Sequence, residues 1–330
     1  MSVTRTIVLG LALALIGGCS SHGSTASLAP STAPAATSAS TTTAVPTTST
    51  NTAGFECARS LPGLATTVAY REIDGIDPNL LSVDIHAPDN ACGAPVVMWV
   101  HGGGYTIGDK AKQVDDKITL FNTHGWILVS VNYRLTVAGT PGSAVYPEHY
   151  QDVAASVAWV HAHIGDYGGD PTRIALLGHS AGADIVSNVV VNPIYLDEVG
   201  LHLDVIACAG PLDTEGFDKV AASSTDPDGE RQQWADALGN NPDYLTDTSA
   251  TGLIRPGIGI PPMIGVVRGT PQRQRIETEF LDTAEQADIA TTTIDARTLS
   301  HADVNRMIGA PGDTVMTEPI IDFLTTCLGH

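Results

Sequence analysis

The chain has 330 residues, 43% of them apolar, and carries 16 lysines and arginines against 36 aspartates and glutamates, a formal charge of −20. An acidic balance of that size excludes nucleic acid and an anionic membrane surface as charge-held partners, because both are polyanions. The five cysteines include no Cys-x-x-Cys pair and no Cys/His spacing of a metal site, so neither a metal nor another cofactor is expected.

At the N-terminus, Arg5 precedes an apolar core at residues 7–16 that is too short to span a bilayer as a mature helix. It ends in Ile16-Gly17-Gly18-Cys19, which resembles a bacterial lipobox with Cys19 as the lipidated residue. Residues 1–19 therefore read as a lipoprotein signal peptide, with an ordinary signal peptide cleaved nearby as the alternative. Either exports the chain, and one lipidated residue would tether it to the outer face of the membrane. Residues 20–54 contain no Asp, Glu, Lys or Arg and are nearly all Ser, Thr, Ala, Pro and Gly. Such a segment has little apolar surface to offset ordering entropy and reads as a disordered linker. Residues 55–330 suit one catalytic domain. Export permits disulfides among Cys57, Cys92, Cys208 and Cys327. Cys57–Cys92 is expected to pin the N-terminal arm, with Cys208–Cys327 as a second pair or two buried free thiols.

Strands are predicted at residues 66–71, 80–86, 95–100, 126–131, 174–177, 203–209, 263–267 and 291–296. Helices are predicted at 110–123, 150–164, 181–191, 275–286 and 317–327. A hairpin-like start followed by strand–helix alternation implies an α/β fold, with an eight-stranded, mostly parallel sheet covered on both faces. Residues 210–260 are rich in Asp, Gly, Ser and Thr and lie between two strands, where a stretch of that length reads as a cap or lid.

Two motifs follow predicted strands. His101-Gly102-Gly103-Gly104 stands after the third, and Gly178-His179-Ser180-Ala181-Gly182 after the fifth. The second has the G-x-S-x-G pattern, which turns a strand sharply into a helix and exposes the serine. The first, free of side chains, lets backbone N–H groups approach a developing oxyanion. Together with Asn132-Tyr133-Arg134-Leu135 and Tyr167-Gly168-Gly169-Asp170-Pro171, these motifs resemble the HGGG-type serine esterases of the α/β-hydrolase family, hormone-sensitive-lipase-like and carboxylesterase-like. The resemblance covers roughly residues 66–327.

It implies Ser180 as nucleophile, Gly102, Gly103 and Ala181 as oxyanion donors, and His301, on the loop after the last strand, as base. His179 is expected to line the wall behind Ser180, and His101 to orient the oxyanion loop. Asp152, Asp170 and Arg134 read as structural. Most relatives place the acid just after the seventh strand, where this chain reads Arg268-Gly269-Thr270-Pro271-Gln272-Arg273 without a carboxylate. Asp213, directly after the sixth strand, is the first candidate, as in pancreatic-type lipases, although an Asp-Thr pair also fits a helix N-cap. Glu277 or Glu279 on the following helix, or a Ser–His dyad with no acid, are the alternatives. The implied substrate is a small-molecule ester of short to medium acyl length, acetylated glycans and aryl esters included. An amidase or peptidase of the same fold, and a non-catalytic envelope-binding module, are the rival functions. Oligomeric state is not readable.

Overall fold

The computed structural model describes residues 64–329, apart from 138–139, 141–142, 224–229, 240 and 242. The expectations for Cys19, Cys57 and the linker at 20–54 lie outside the described residues. Eight strands form one sheet: β1 (Leu64–Ala69), β2 (Ser82–Ala87), β3 (Ala94–Val100), β4 (Ile127–Val131), β5 (Gly169–His179), β6 (Ile206–Leu212), β7 (Met263–Val267) and β8 (Thr291–Asp295). Their spatial order is β1-β2-β4-β3-β5-β6-β7-β8. β1 and β2 join as an antiparallel hairpin, β2 meets β4 antiparallel, and every pair from β4 to β8 is parallel.

β3 and β4 are buried along their whole length, as near-continuous apolar runs in a doubly covered sheet should be. Their alternate residues face two separate cores. Val96, Met98 and Val100 pack on one face with the helices α2 (Glu148–His163), α3 (Ala181–Val191) and α8 (Pro271–Gln286). Val97 and Trp99 pack on the other with α1 (Asp115–Thr123) and α10 (Thr317–Leu328). All eleven residues of α3 are buried, so the helix behind the elbow is anchored on every side.

Chain order reverses at β3, which lies between β4 and β5. Val100 pairs with Gly178 across that boundary, so the glycine loop and the elbow leave the sheet side by side. This crevice beyond the carboxyl ends of the strands is where open α/β sheets place their sites.

The structure departs from the predicted elements in several places. The helix predicted at 110–123 begins only at Asp115, the strand predicted at 80–86 begins at Ser82 after a 3₁₀ turn, β5 runs beyond 174–177 at both ends, and the helix predicted at 275–286 begins at Pro271. β6 begins later than residue 203, because Leu203–Val205 forms a 3₁₀ turn, and it runs on through Leu212. Residues 210–212 therefore belong to the sheet rather than to a cap. The segment between β6 and β7 is also less irregular than its composition suggests. It holds α5 (Lys219–Ser223), α6 (Glu230–Ala237) and α7 (Asp243–Asp247). These are short polar helices whose face patterns are too weak to read. Two further helices, α4 (Ile194–Asp197) and α9 (His301–Arg306), were not predicted.

Cys208 on β6 and Cys327 on α10 form a disulfide with a Cα–Cα distance of 6.2 Å, inside the range such bridges occupy. Cys92 is also disulfide-bonded, to a partner outside the described residues. Among the described residues, no helix is long and apolar enough to cross a membrane.

Candidate active site

The elbow forces Ser180 to φ 59° and ψ −122°, a backbone region that L-residues occupy only under constraint. The constraint is visible in its neighbours. A Cβ on Gly182 would lie 2.2 Å from the Val100 carbonyl oxygen, and one on Gly102 would lie 2.9 Å from Ser180 Cβ. Glycine at these two positions lets α3 start against β3 and lets the HGGG loop press on the serine.

Ser180 Oγ is 2.9 Å from His301 Nε2, and His301 Nδ1 is 2.6 Å from Asp213 Oδ2. With Nδ1 donating to the carboxylate, Nε2 is free to accept the serine proton. His301 is the first residue of α9 rather than a loop residue. Ser300 caps that helix, and Asp303 returns the bond in a capping box, so His301 is held by a helix start. Asp213 follows β6 directly, at φ 66°.

Asp213 is fully buried and accepts from more than the histidine. Arg268 Nη1 donates to Oδ2 at 2.7 Å, and Arg273 Nε donates to Oδ1 at 2.9 Å. Burial alone would raise this carboxyl. The His301 hydrogen bond and the two guanidinium groups outweigh burial and hold it well below the usual carboxylate range. The segment that lacks a carboxylate thus supplies the cations that hold Asp213, one strand away. Arg268 and Arg273 carry no motif of their own, and their role depends on a carboxylate 55 and 60 positions away. Their presence where one was expected was the available signal.

Glu277 and Glu279 are placed elsewhere. Glu277 accepts from the Arg268 backbone N–H at 2.8 Å and from Arg273 Nε at 3.3 Å. Burial, reinforced by the Asp213 charge, pushes its carboxyl up to about 9. Glu279 lines a surface groove beside Arg275 and Asp295.

His179 packs against His301 with ring centroids 4.5 Å apart and the rings tilted by 34°, and its Nε2–H donates to the His301 carbonyl at 2.9 Å. Burial, with the neighbouring His301 ring, pulls it down to about 3, so it is neutral and adds no charge beside the base. His101 stacks on Tyr133, whose hydroxyl donates to the His101 carbonyl at 3.0 Å. Arg134 and Asp152 form a bidentate pair at 2.7 and 2.9 Å, and Asp170 accepts from Thr172. All three are structural. His179, Asp213 and His301 also bring potential metal-ligating atoms within 4.8 Å of one another. Both His301 nitrogens are engaged, however, and two guanidinium groups sit on the same carboxylate, an arrangement for proton transfer rather than for a cation.

One turn beyond Ser180, Asp184 forms a buried hub not read from the sequence. It accepts from Tyr105 Oη at 2.5 Å, Tyr150 Oη at 2.9 Å and Lys219 Nζ at 2.5 Å. Tyr105 ends the HGGG loop and Lys219 opens α5, so one carboxylate ties α3, the glycine loop and the β6–β7 excursion together. The partners lie 79 and 35 positions away, beyond the reach of local patterns.

The eight-stranded sheet, the elbow at the carboxyl end of β5 and the glycine loop beyond β3 define an α/β-hydrolase fold. Residues 36–244 match the carboxylesterase family, and the chain belongs to it. It is 40% identical over 111 residues to esterase LipQ of Mycobacterium tuberculosis, covering 33% of this chain and 25% of that protein. It is 30% identical over 164 residues to para-nitrobenzyl esterase of Bacillus subtilis, covering 48% and 33%. The matches to the curated relatives thus span about a fifth to a third of their length. Esterase 2 of Thermogutta terrifontis superposes with a TM-score of 0.62 at 21% identity over 80% of this chain and 95% of that one. A carbohydrate esterase from gut microbiota superposes at 0.65 and 15% identity over 83% and 97%. At those identities the superpositions show the fold.

Proposed function

We propose that this chain hydrolyses carboxylic esters through an acyl-enzyme on Ser180. The observation that carries the reading is the Ser180–His301–Asp213 relay, at 2.9 and 2.6 Å, on a strained elbow that faces a glycine loop. A serine hydroxyl needs a base to become a nucleophile. Ser180 Oγ attacks the ester carbonyl carbon while His301 Nε2 takes its proton. The carbonyl oxygen becomes an oxyanion, met by the N–H groups of Gly102, Gly103 and Ala181. Collapse breaks the bond to the alcohol oxygen, which leaves with the proton from His301. Water then attacks the acyl-enzyme, gives its proton to His301, and the acid departs as Ser180 regains a proton. Asp213 holds the imidazole tautomer and stabilises the imidazolium without taking the proton. Short to medium acyl chains suit a site whose excursion between β6 and β7 is polar.

The test is hydrolysis of p-nitrophenyl esters by the full chain beside Ser180→Ala, His301→Ala and Asp213→Asn. Loss in all three supports the relay. Activity retained in Asp213→Asn removes the carboxylate from it. An inactive parent that a serine-directed phosphonate does not label overturns the enzyme reading in favour of a binding module. We also infer export, with Cys19 as a lipid anchor. Cys19→Ala should move the protein from the membrane fraction to the soluble exported fraction, and retention in the membrane refutes the anchor.

A further inference from the structure

Two cavities of very different size meet at Ser180 and His301. One, of about 30 Å³, has Tyr105, Ala181 and Trp234 on its wall together with the charged Asp213, Glu215 and Arg273, all buried but the half-buried Glu215. The other, of about 480 Å³, opens between the glycine loop and α9. A water-sized group needs roughly 10–15 Å³ on this measure, so the small chamber takes about two non-hydrogen atoms. The large cleft falls in the range of small-molecule sites, roughly 300–1,000 Å³.

The order of product release assigns the two halves of the substrate. In the acyl-enzyme route proposed above, on which this inference rests, the alcohol leaves while the acyl group is still bonded to Ser180. Water must then reach the same carbon. An alcohol seated in the small chamber would be trapped behind the acyl group, and water would be shut out. The acyl group therefore takes the small chamber and the alcohol takes the cleft.

The cleft wall is polar and prearranged. Asp109, Lys112, Gln113 and Asn305 line it. Asn305 Nδ2 donates to Gln113 Oε1 at 2.5 Å. Beneath them, Lys117 Nζ donates to the backbone carbonyls of the same two residues at 3.0 and 2.8 Å and lies 4.7 Å above the Trp99 ring. Gln113 holds φ 57°, a left-handed conformation that persists only where the surroundings impose it. We infer that the substrate is an acetyl ester of a polyhydroxylated alcohol of sugar size, with the acetyl methyl in the Trp234 chamber and the hydroxyl groups against the Gln113–Asn305 wall.

The experiment uses the full chain and two substrate series. In the first, p-nitrophenyl acetate, propionate and butyrate vary only the acyl group. A pocket that excludes a methylene discriminates by about 10- to 200-fold, so kcat/KM should fall at least tenfold from acetate to butyrate. Trp234→Ala should narrow that gap. In the second, acetylated xylose is compared with hexyl acetate, and the sugar ester should have a kcat/KM at least tenfold higher. A small methylphosphonate ester, run alongside as a label for Ser180, separates the two ways of failing. A labelled enzyme that hydrolyses butyrate as fast as acetate, or hexyl acetate as fast as the sugar ester, overturns the chamber assignment and leaves the serine-hydrolase reading standing. A chain that neither labels nor hydrolyses any ester overturns both.

Discussion

Acid should destabilise this protein through its buried histidines, and His149 isolates the effect. The side chain is 1% exposed, its Nε2–H donates to Thr136 Oγ1 at 3.0 Å, and burial, with Arg134 beyond it, pulls its pKa down to about 3. A histidine whose folded pKa is depressed contributes stability that is complete above its unfolded value, about 6.5, and is lost as pH falls toward the folded value. At pH 5 the unfolded chain binds this proton and the folded chain does not. The cost is 1.5 pH units at about 1.36 kcal/mol each, or about 2 kcal/mol. His179, also about 3, adds about as much by the same arithmetic. Glu277 runs the other way. Its raised carboxyl, about 9, is protonated in the folded state at pH 7, so acidification relieves a cost that the unfolded chain does not carry. A single acid denaturation curve therefore mixes signs. The clean quantity is a double difference from equilibrium guanidinium unfolding at pH 7 and pH 5, for the parent and for His149→Gln. The glutamine keeps an N–H donor for Thr136 and cannot titrate. Its loss of stability between the two pH values should be about 2 kcal/mol smaller than the parent's. Equal losses in both proteins would refute a neutral buried His149.

Other perturbations follow from contacts already described. Cys208 and Cys327 are 119 positions apart, and a loop of that length corresponds to about 5 kcal/mol in the chain-entropy account of disulfides. Guanidinium unfolding of Cys327→Ala should show most of that loss, and a change below about 1 kcal/mol would contradict it. Lys219→Met leaves Asp184 buried without its cation and should cost about 3–5 kcal/mol, measured by urea unfolding. The double variant Lys219→Met with Asp184→Asn should recover much of that loss, and no recovery would show that the pairing is not what matters. Arg268→Met frees one side of Asp213 and should lower kcat at least tenfold with KM little changed, since in the proposed relay Asp213 acts on the transition state rather than on substrate binding. A rise in KM at constant kcat would place Arg268 in binding instead.

The sheet was readable because each strand carries its own signal. Residues such as Pro95-Val96-Val97-Met98-Trp99-Val100 are apolar on both faces, which is the mark of a strand covered on both sides. Gly102, Ser180 and Gly182 were readable for a different reason: their conformations admit few residue types, so local sequence betrays them. His301 was placed after the last strand, but the helix it opens was overlooked even though Ser300 and Asp303 spell a capping box. The acid resisted because its candidates, Asp213 after β6 and Glu277 or Glu279 on the helix after β7, lie in different elements whose approach to His301 local sequence does not describe. What separates Asp213 from Glu277 is the contact to His301 Nδ1 at 2.6 Å, which depends on how β6, β7 and α8 pack. The Asp184 hub was unreadable in principle, since its members make sense only once the helices that carry them have met.

The buried Lys219–Asp184 bond bears on how such an enzyme can be re-engineered. The excursion between β6 and β7 is the natural place to graft a foreign segment, because it flanks Ser180 and its helices are short and polar. Yet its first helix drives an ammonium group into the body of the domain, onto a carboxylate one turn from the nucleophile. A transplanted segment without that lysine would strand a negative charge beneath the HGGG loop, through Tyr105. Any chimera built here has to carry Lys219 along or neutralise Asp184 in the same step.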